Sequence, residues 1–477
     1  MPFHVSLVGR KHLSREIYRQ IVRAILDGRL RPGDRLTPSR ELALALDVSR
    51  MTVNVAYEQL AGEGFVTSRQ GAGTFVSDLV SRVERKSPQP RAKDALQPRP
   101  IWKSIPVLTP FARAARYDFR SGLPDATLFP HRAWQRSVVR ALLASESSAG
   151  VYGDAAGLRD LREAIVRQIG FSRGVEAAPN DVIVTNGTQQ ALDLIARVWL
   201  APGDTIALEE PGYGLPWLLF TAMGFRVVGV PVDNEGIVVT ALPRKARAVY
   251  VTPSHQYPLG VVMTLRRRQA LLAWAERNNA AIIEDDYDSE FRFGGRPLEP
   301  LQSIDSSGRV IYIGSFSKTM LPTLRLGFLI TPPSLRPALQ SAKFVSDWHS
   351  SSLAQVALAR FMADGGFARH LRKMTGVYRE RRAMIRDILA CDFNEHLELV
   401  PSEAGLHVAA FARNATVDHV QKIIGRAADR SVAVQRLWPH AFGPDARAGL
   451  MLGYGAISTS RIKEGLRLLR SCFDRAA

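Results

Sequence analysis

The stretch at residues 311–328 reads IYIGSFSKTMLPTLRLGF, a short β-rich run ending in small polar residues. Lys318 follows Ser315 and Ser317, and Arg325 lies seven residues further on. A primary amine at a strand end can form a Schiff base with an aldehyde. Two hydroxyls and a guanidinium beside it can hold a dianionic phosphate. Those are the needs of a pyridoxal 5'-phosphate pocket. The motif alone also describes a surface lysine in a loop, so its neighbours must decide.

Those neighbours are other strand ends. VIVTN (182–186), TIALEE (205–210), AVYVTP (248–253), AAIIEDD (280–286) and VIYIG (310–314) are short, β-rich and separated by helical stretches. The alternation predicts an α/β architecture with a largely parallel sheet, whose ligands gather beyond the strand C-termini. After the first run, Gly187-Thr188-Gln189 opens a helix, where backbone amides and the Thr188 hydroxyl suit a phosphate. After the second, Tyr213 is available to stack on a flat ring. After the third come His255, Gln256 and Tyr257, one of which can bond to a cofactor oxygen. After the fourth, EDDYDSEF (284–291) sets four carboxylates in five positions, which repel one another unless a cation is near. A protonated pyridine nitrogen is such a cation. Asp285 is the residue expected to face it, with Asp286 the alternative, and Tyr287 is then placed to bond the ring hydroxyl. A metal is not expected, because no histidine is close in sequence and no calcium-loop spacing occurs.

Taken in order, these residues resemble a fold type I pyridoxal phosphate enzyme, and residues 117–477 are similar to class I/II aminotransferases throughout. TPSHQYPLG, EDDYDSEFRFGGRPLEPLQSID and IYIGSFSKTMLPTLRLGF resemble the MocR/GabR branch of regulators, in which a DNA-binding domain is fused to an aminotransferase-like domain. The resemblance implies Lys318 as the Schiff-base lysine, Asp285 facing the pyridine nitrogen, Tyr287 near the ring hydroxyl and Tyr213 stacking. Ser315, Ser317, Arg325 and Thr188 would hold the phosphate. One departure stands out. Related aminotransferases grip a substrate carboxylate with an arginine near the last core strand. Here GLMLGYG (449–455) has no basic residue, and the nearest are Arg447 and Arg436.

The elements that precede this constellation point elsewhere. Residues 14–30 place Ile17, Ile21, Ile25 and Leu26 at helical spacing behind Ser14 as N-cap, and residues 37–48 form a second helix. A third runs over 49–63, capped by Ser49, with Val53, Ala56, Tyr57 and Leu60 inward. Strands at 65–68 and 74–77 flank RQGAG. Three helices and a hairpin make a winged helix-turn-helix. GRLRPGDRLTPSREL, VSRMTVNVAYEQLAGEGF and GAGTFV together resemble the GntR family of bacterial regulators over residues 14–77. The resemblance implies a recognition helix starting at Ser49, with Arg50 and Thr52 near bases or phosphates and Arg40 contacting DNA from the preceding helix. Asn54, where the family often has arginine, has an amide suited to adenine. Arg69, Gln70 and Gly71 sit on the wing, where side chains probe the minor groove.

Composition agrees with a DNA partner. The formal net charge is +18, and residues 1–99 carry 17 basic against 10 acidic residues. Cys391 and Cys472 lie far apart, which excludes a disulfide framework or a zinc motif and fits a reducing cytoplasm. No signal peptide or membrane span is expected. The expected domains are a winged helix-turn-helix at 10–78, a linker at 79–116 and the aminotransferase-like domain at 117–477. The linker is rich in proline and basic residues and long enough to let the DNA module lie on a partner subunit, so a domain-swapped homodimer is expected. The chain therefore reads as a cytoplasmic regulator of promoter DNA. It senses a small molecule, whether an amine, an amino-acid-like compound, an amino sulfonate or pyridoxal phosphate itself, with at most residual transaminase activity. An active aminotransferase with an appended DNA-binding domain is the other reading.

Overall fold

The computed structural model describes residues 5, 7, 12–69, 71–78, 96–106, 115–145, 151–294, 299–437 and 447–473. The chain divides into two compact units, Met1–Pro98 and Arg99–Ala477. Gln70 and most of the expected linker lie outside the described residues.

The first unit contains α1 (Leu13–Leu26), α2 (Ser39–Ala45), α3 (Arg50–Gly62), β1 (Val66–Arg69) and β2 (Gly73–Val76). Ile17, Ile21, Ala24, Val53, Ala56, Tyr57 and Leu60 form its buried centre, as the 3.6-residue period requires. Leu26 is an exception and is exposed. Ser14 does not cap α1, which begins one residue earlier, after His12 in a left-handed conformation whose carbonyl accepts from Arg15 and Glu16. Ser49 does cap α3, accepting from the Thr52 amide at 3.1 Å. The Tyr57 hydroxyl donates to the Thr37 carbonyl at 2.7 Å and ties α3 to the start of α2. β1 and β2 pair antiparallel from Val66↔Val76 to Arg69↔Gly73, and the turn between them contains Gly71 at φ 76°.

The second unit opens with α4 (Ile101–Ser104), a helical turn inside the segment expected to be extended. β3 (Tyr117–Asp118), α5 (His131–Ser145), α6 (Arg159–Arg173), β4 (Val182–Thr185) and α7 (Thr188–Trp199) follow. Next come β5 (Thr205–Glu210), α8 (Gly214–Ala222), β6 (Arg226–Asp233), β7 (Gly236–Ile237), β8 (Ala246–Val251), α9 (Leu265–Arg277) and β9 (Ala281–Asp286). α10 (Leu301–Ile304), β10 (Val310–Ser315), β11 (Gly327–Ile330), α11 (Arg336–Asp347), α12 (Ser352–Ala363) and α13 (Gly366–Asp392) complete the larger layer. A smaller layer holds β12 (Leu397–Leu399), β13 (His407–Ala412), α14 (Val417–Asp429), β14 (Val432–Ala433), β15 (Gln435–Arg436), β16 (Gly449–Gly453) and α15 (Thr459–Arg470).

The large sheet has the order β4-β11-β10-β9-β8-β5-β6-β7. The strands from β10 to β6 pair in parallel, while β11 runs antiparallel between β4 and β10. β4, β9, β10 and β11 are buried at every position, so apolar side chains cover both faces and the sequence shows runs rather than alternation. The expected parallel architecture holds, and β11 makes the sheet mixed.

A buried ion pair joins α13 to the loop after β3. Arg381 donates to Asp125 at 2.7 Å and also to the carbonyls of Tyr454 and Gly455. Both charged side chains are almost inaccessible. Removing one partner strands the other, so Arg381→Ala is expected to cost about 3–5 kcal/mol of stability in urea denaturation. The exposed Arg379→Ala on the same helix should stay within about 0.5 kcal/mol of the parent.

Candidate functional site

The end of β9 positions the site. In a strand successive side chains alternate between faces, so Glu284 and Asp286 point one way and Asp285 the other. Glu284 accepts from the Leu301 and Gln302 amides at the start of α10 and lies 3.8 Å from Arg268 of α9. Asp286 accepts from Arg173, at the end of α6, at 2.8 Å and from the Tyr312 hydroxyl of β10 at 2.6 Å. Asp288 lies 3.1 Å from Nδ1 of His255. Three of the four carboxylates thus have side-chain partners within the protein, Arg268 near Glu284, Arg173 on Asp286 and His255 beside Asp288.

Asp285 has a different neighbourhood. One oxygen accepts from the Tyr250 hydroxyl of β8 at 2.7 Å, while Oδ1 is buried with no hydrogen-bond partner among the described residues. Burial pushes its pKa up to about 7, against the Tyr250 hydrogen bond and with help from the Asp286 charge. For Asp286 burial also disfavours charge, but Arg173 with Ser289 and Tyr312 outweighs it and holds the group below the usual carboxylate range. The two adjacent aspartates are therefore chemically distinct. Asp286 has its charge balanced by the Arg173 guanidinium, whereas the hydrogen bond to Asp285 comes from the neutral Tyr250 hydroxyl.

Lys318 follows β10. Its Nζ donates to the Gly122 carbonyl at 2.8 Å, where Gly122 takes φ +83° and an added Cβ would stand 3.1 Å from that nitrogen. Burial lowers the lysine pKa, and the charges of Asp288 and Asp285 oppose the shift. A lowered pKa increases the share of neutral amine, the form with a lone pair for attack.

Beyond β4, Gly187 at φ 86° precedes the first residue of α7, Thr188. The Arg325 guanidinium donates to the Asn186 carbonyl at 2.6 Å, and a Cβ at Gly187 would lie 3.0 Å from it. Ser315 Oγ accepts from the Ser317 amide at 3.1 Å, which orients both serines at the end of β10. The structure thus brings Arg325 to the N-terminus of α7, a junction suited to a phosphate. Behind it, Asn186 and Gln190 both donate to Asp347 of α11 at 2.7 Å, anchors that local sequence did not reveal.

Between Lys318 and this junction lie the aromatic groups. Tyr213 and Tyr257 meet edge to face at 5.5 Å, and Tyr257 meets Tyr287 in the same way at 6.1 Å. The Tyr287 hydroxyl donates to the His255 carbonyl at 3.0 Å and lies 2.9 Å from His255 Nδ1. Burial keeps the Tyr287 phenol protonated well beyond its usual range. Gly405 makes room for the imidazole, since a Cβ there would fall 1.9 Å from the ring. His255, Asp288 and His407 form a buried group with donor atoms within 4.8 Å of one another. That grouping is invisible in sequence because His407 is supplied by β13 of the smaller layer. Tyr250, Arg173 and Gly122 were also missed. Tyr250 had a local signal, as a polar tip inside the apolar run AVYV.

Neither arginine near the last strand acts as a carboxylate grip in the described chain. Arg447 lies over the Phe411 ring at 3.7 Å and beside Glu398, and Arg436 donates to Gln421. Both are exposed.

In the first unit, Arg40, Arg50 and Arg69 are exposed, and Asn54 and Thr52 are half-buried. Arg50 Nε reaches Ser39 Oγ at 3.4 Å, and the Thr52 hydroxyl is 2.8 Å from Ser49 Oγ within the cap. The Arg69 guanidinium lies 5.0 Å above the Phe75 ring on the wing, beside exposed Gly71.

A winged helix-turn-helix joined to a fold type I aminotransferase fold defines a helix-turn-helix transcriptional regulator with an aminotransferase-like domain. Residues 13–76 match the bacterial regulatory proteins of the gntR family, and residues 123–440 match aminotransferase class I and II. The probable rhizopine catabolism regulatory protein MocR of Rhizobium meliloti is 38% identical over 475 residues, covering 97% of this chain and 94% of that protein. The uncharacterized HTH-type regulator YhdI of Bacillus subtilis (strain 168) is 35% identical, covering 97% and 96%. The pyridoxine biosynthesis regulator PdxR of Corynebacterium glutamicum is 33% identical, covering 92% and 91%. Among solved structures, an archaeal alanine:glyoxylate aminotransferase superposes with a TM-score of 0.71 at 26% identity, covering 77% of this chain and 92% of that one. The chain belongs to the MocR/GabR subfamily of GntR regulators.

The lowered pKa of Lys318 has a direct readout. With a lower folded-state pKa, its amine becomes nucleophilic at a lower pH than in the unfolded chain. In cofactor-free protein, acylation followed by peptide mass spectrometry should show Lys318 reacting half-maximally at the lower pH. Asp288→Asn, which removes a charge that raises this pKa, should move the midpoint lower still.

Proposed function

We propose that the second unit holds pyridoxal 5'-phosphate in this cleft and uses it as the receptor for a small amine whose capture controls DNA binding by the first unit. The observation that carries the reading is the pairing of the buried Lys318 amine, held by the Gly122 carbonyl, with buried Asp285, near enough for their charges to interact. The cofactor supplies an aldehyde that captures primary amines and a ring that withdraws electrons.

In this reading Asp285, fixed by Tyr250, takes the pyridine nitrogen, and a ring N–H supplies the missing partner of Oδ1. Asp285 is preferred to Asp286 because Arg173 and Tyr312 both bond Asp286 Oδ2 and Arg173 already balances that carboxylate's charge. Tyr287, held by His255, would accept a hydrogen bond from the ring hydroxyl, and Tyr213 would pack against the ring. Thr188, Ser315, Ser317 and Arg325 hold the phosphate. Lys318 is the covalent anchor, and its displacement by an effector amine frees a lysine beside the Gly122 loop. A regulator acts through different contacts in two states, and this change of partner is a contact that differs. In DNA binding, Arg40, Arg50, Thr52, Asn54, Arg69 and Gly71 form the contacting face.

Regulation is favoured over turnover by the positions of Arg436 and Arg447, which leave a substrate carboxylate without an evident grip in the described cleft. The relatives are named for rhizopine catabolism and pyridoxine biosynthesis, two different signals, so the effector is assigned only as an amine or the cofactor itself. A homodimer with exchanged DNA modules matches the length of the linker.

Protein reconstituted with the cofactor should absorb visible light, and borohydride should fix the cofactor to Lys318. Asp285→Asn should weaken cofactor binding at least tenfold in an equilibrium titration. Asp286→Asn should instead lower stability by about 3–5 kcal/mol, because it leaves Arg173 buried without its counter-charge. A protein that takes up no cofactor would overturn the proposal. For DNA, Arg50→Ala should weaken binding and flatten the dependence of log K on log salt by about one unit.

A further inference from the structure

The face of α3 turned furthest from the core is apolar at its DNA-entering end. Val53, Ala56, Tyr57 and Leu60 are buried, and the opposite side carries Met51, 69% exposed, and Val55, 45% exposed. At 3.6 residues per turn, Met51 and Val55 lie about 40° apart on the helix surface, one turn apart along it. Arg50 and Asn54 flank that line on one side and Thr52 on the other. Two exposed apolar residues on an ordinary surface helix need no explanation. Here they occupy the outermost line of the first two turns of α3, in a unit whose exposed residues include Arg40 of α2, Arg50 of α3 and Arg69 of the wing, with Glu58 on the following turn of the same line. Such a surface suits a polyanion with apolar points on its floor. In the major groove of DNA, the apolar points are thymine 5-methyl groups.

We propose that Met51 and Val55 read thymine methyl groups, making this chain's operator selective for A·T pairs under the first two turns of α3. The inference rests on the DNA-binding reading and adds the base feature that is recognised. Arg50 and Thr52 set affinity and register through phosphates and hydrogen bonds, while Met51 and Val55 discriminate thymine from cytosine. Cytosine presents no methyl and places an amino donor where thymine has a carbonyl.

The test uses the full chain. Its operator is first enriched from randomised duplexes, and affinity is then measured by fluorescence anisotropy at fixed salt. Each thymine is replaced in turn by deoxyuridine, which removes only the methyl group. At one or two thymines the parent should lose about fourfold in affinity per methyl. Met51→Ala or Val55→Ala should bind the thymine and deoxyuridine operators alike at the corresponding position. Both residues are exposed, so an unchanged melting temperature shows that the variants fold. Indifference of the parent to every deoxyuridine, or a methyl effect that survives in both variants, overturns the proposal. A variant that changes only the sedimentation mass assigns the face to a protein partner and also overturns it. Failure to enrich any sequence removes the DNA-binding reading itself, and this inference with it.

Discussion

Four carboxylates lie buried or nearly so within five residues at the end of β9, and the second unit can fold only if each finds its own compensation. Glu284 has backbone amides and a nearby Arg268, Asp286 has Arg173 and Tyr312, and Asp288 has His255. These partners come from α6, α9, α10, β10 and the loop after β8, so one short acidic stretch ties together elements far apart in the chain. A single substitution among the partners would leave a charge stranded in a low-dielectric interior.

The same constraint creates the site. While Arg173 balances Asp286, Asp285 on the other face of the strand has the Tyr250 hydroxyl, a buried Oδ1 without a hydrogen-bond partner, and the Lys318 charge nearby. The lysine is shifted in the complementary sense, toward its neutral form. Pairs of titratable groups whose surroundings push them out of their ordinary ranges mark functional clefts. At the far end, Arg325 reaches across to Gly187, and the strand end and the helix N-terminus become one anion-binding corner.

The two units divide the work by chemistry. The first unit buries one stripe of α3 and turns the other outward with apolar and polar side chains mixed. The second retains the anchoring parts of an aminotransferase, while the arginines near its last strand engage Gln421, Glu398 and Phe411.

Much of this was legible in the residues themselves. Period and capping located the helices of the first unit, because burial of a helix face and satisfaction of its first amides are local requirements; the Ser49 cap is an example, and the Ser14 cap failed because His12 terminates α1 by backbone conformation instead. The strand ends of the second unit were legible because fully buried strands must be apolar runs and because polar residues mark where they stop: Ser315 closes β10, Ser317 and Lys318 follow it, and Thr188 follows β4, while Arg325 precedes β11. The choice between Asp285 and Asp286 was not legible. Adjacent aspartates have the same local chemistry, and only the sheet's pleat, with Arg173 and Tyr312 on one side and Tyr250 on the other, distinguishes them. The grouping of His255, Asp288 and His407 belongs to the same class, since it depends on two layers meeting in space. Sequence alone determined which residues were available for chemistry. Tertiary structure decided which of them kept an unspent atom, because burial and pairing are properties of the neighbours that folding brings together.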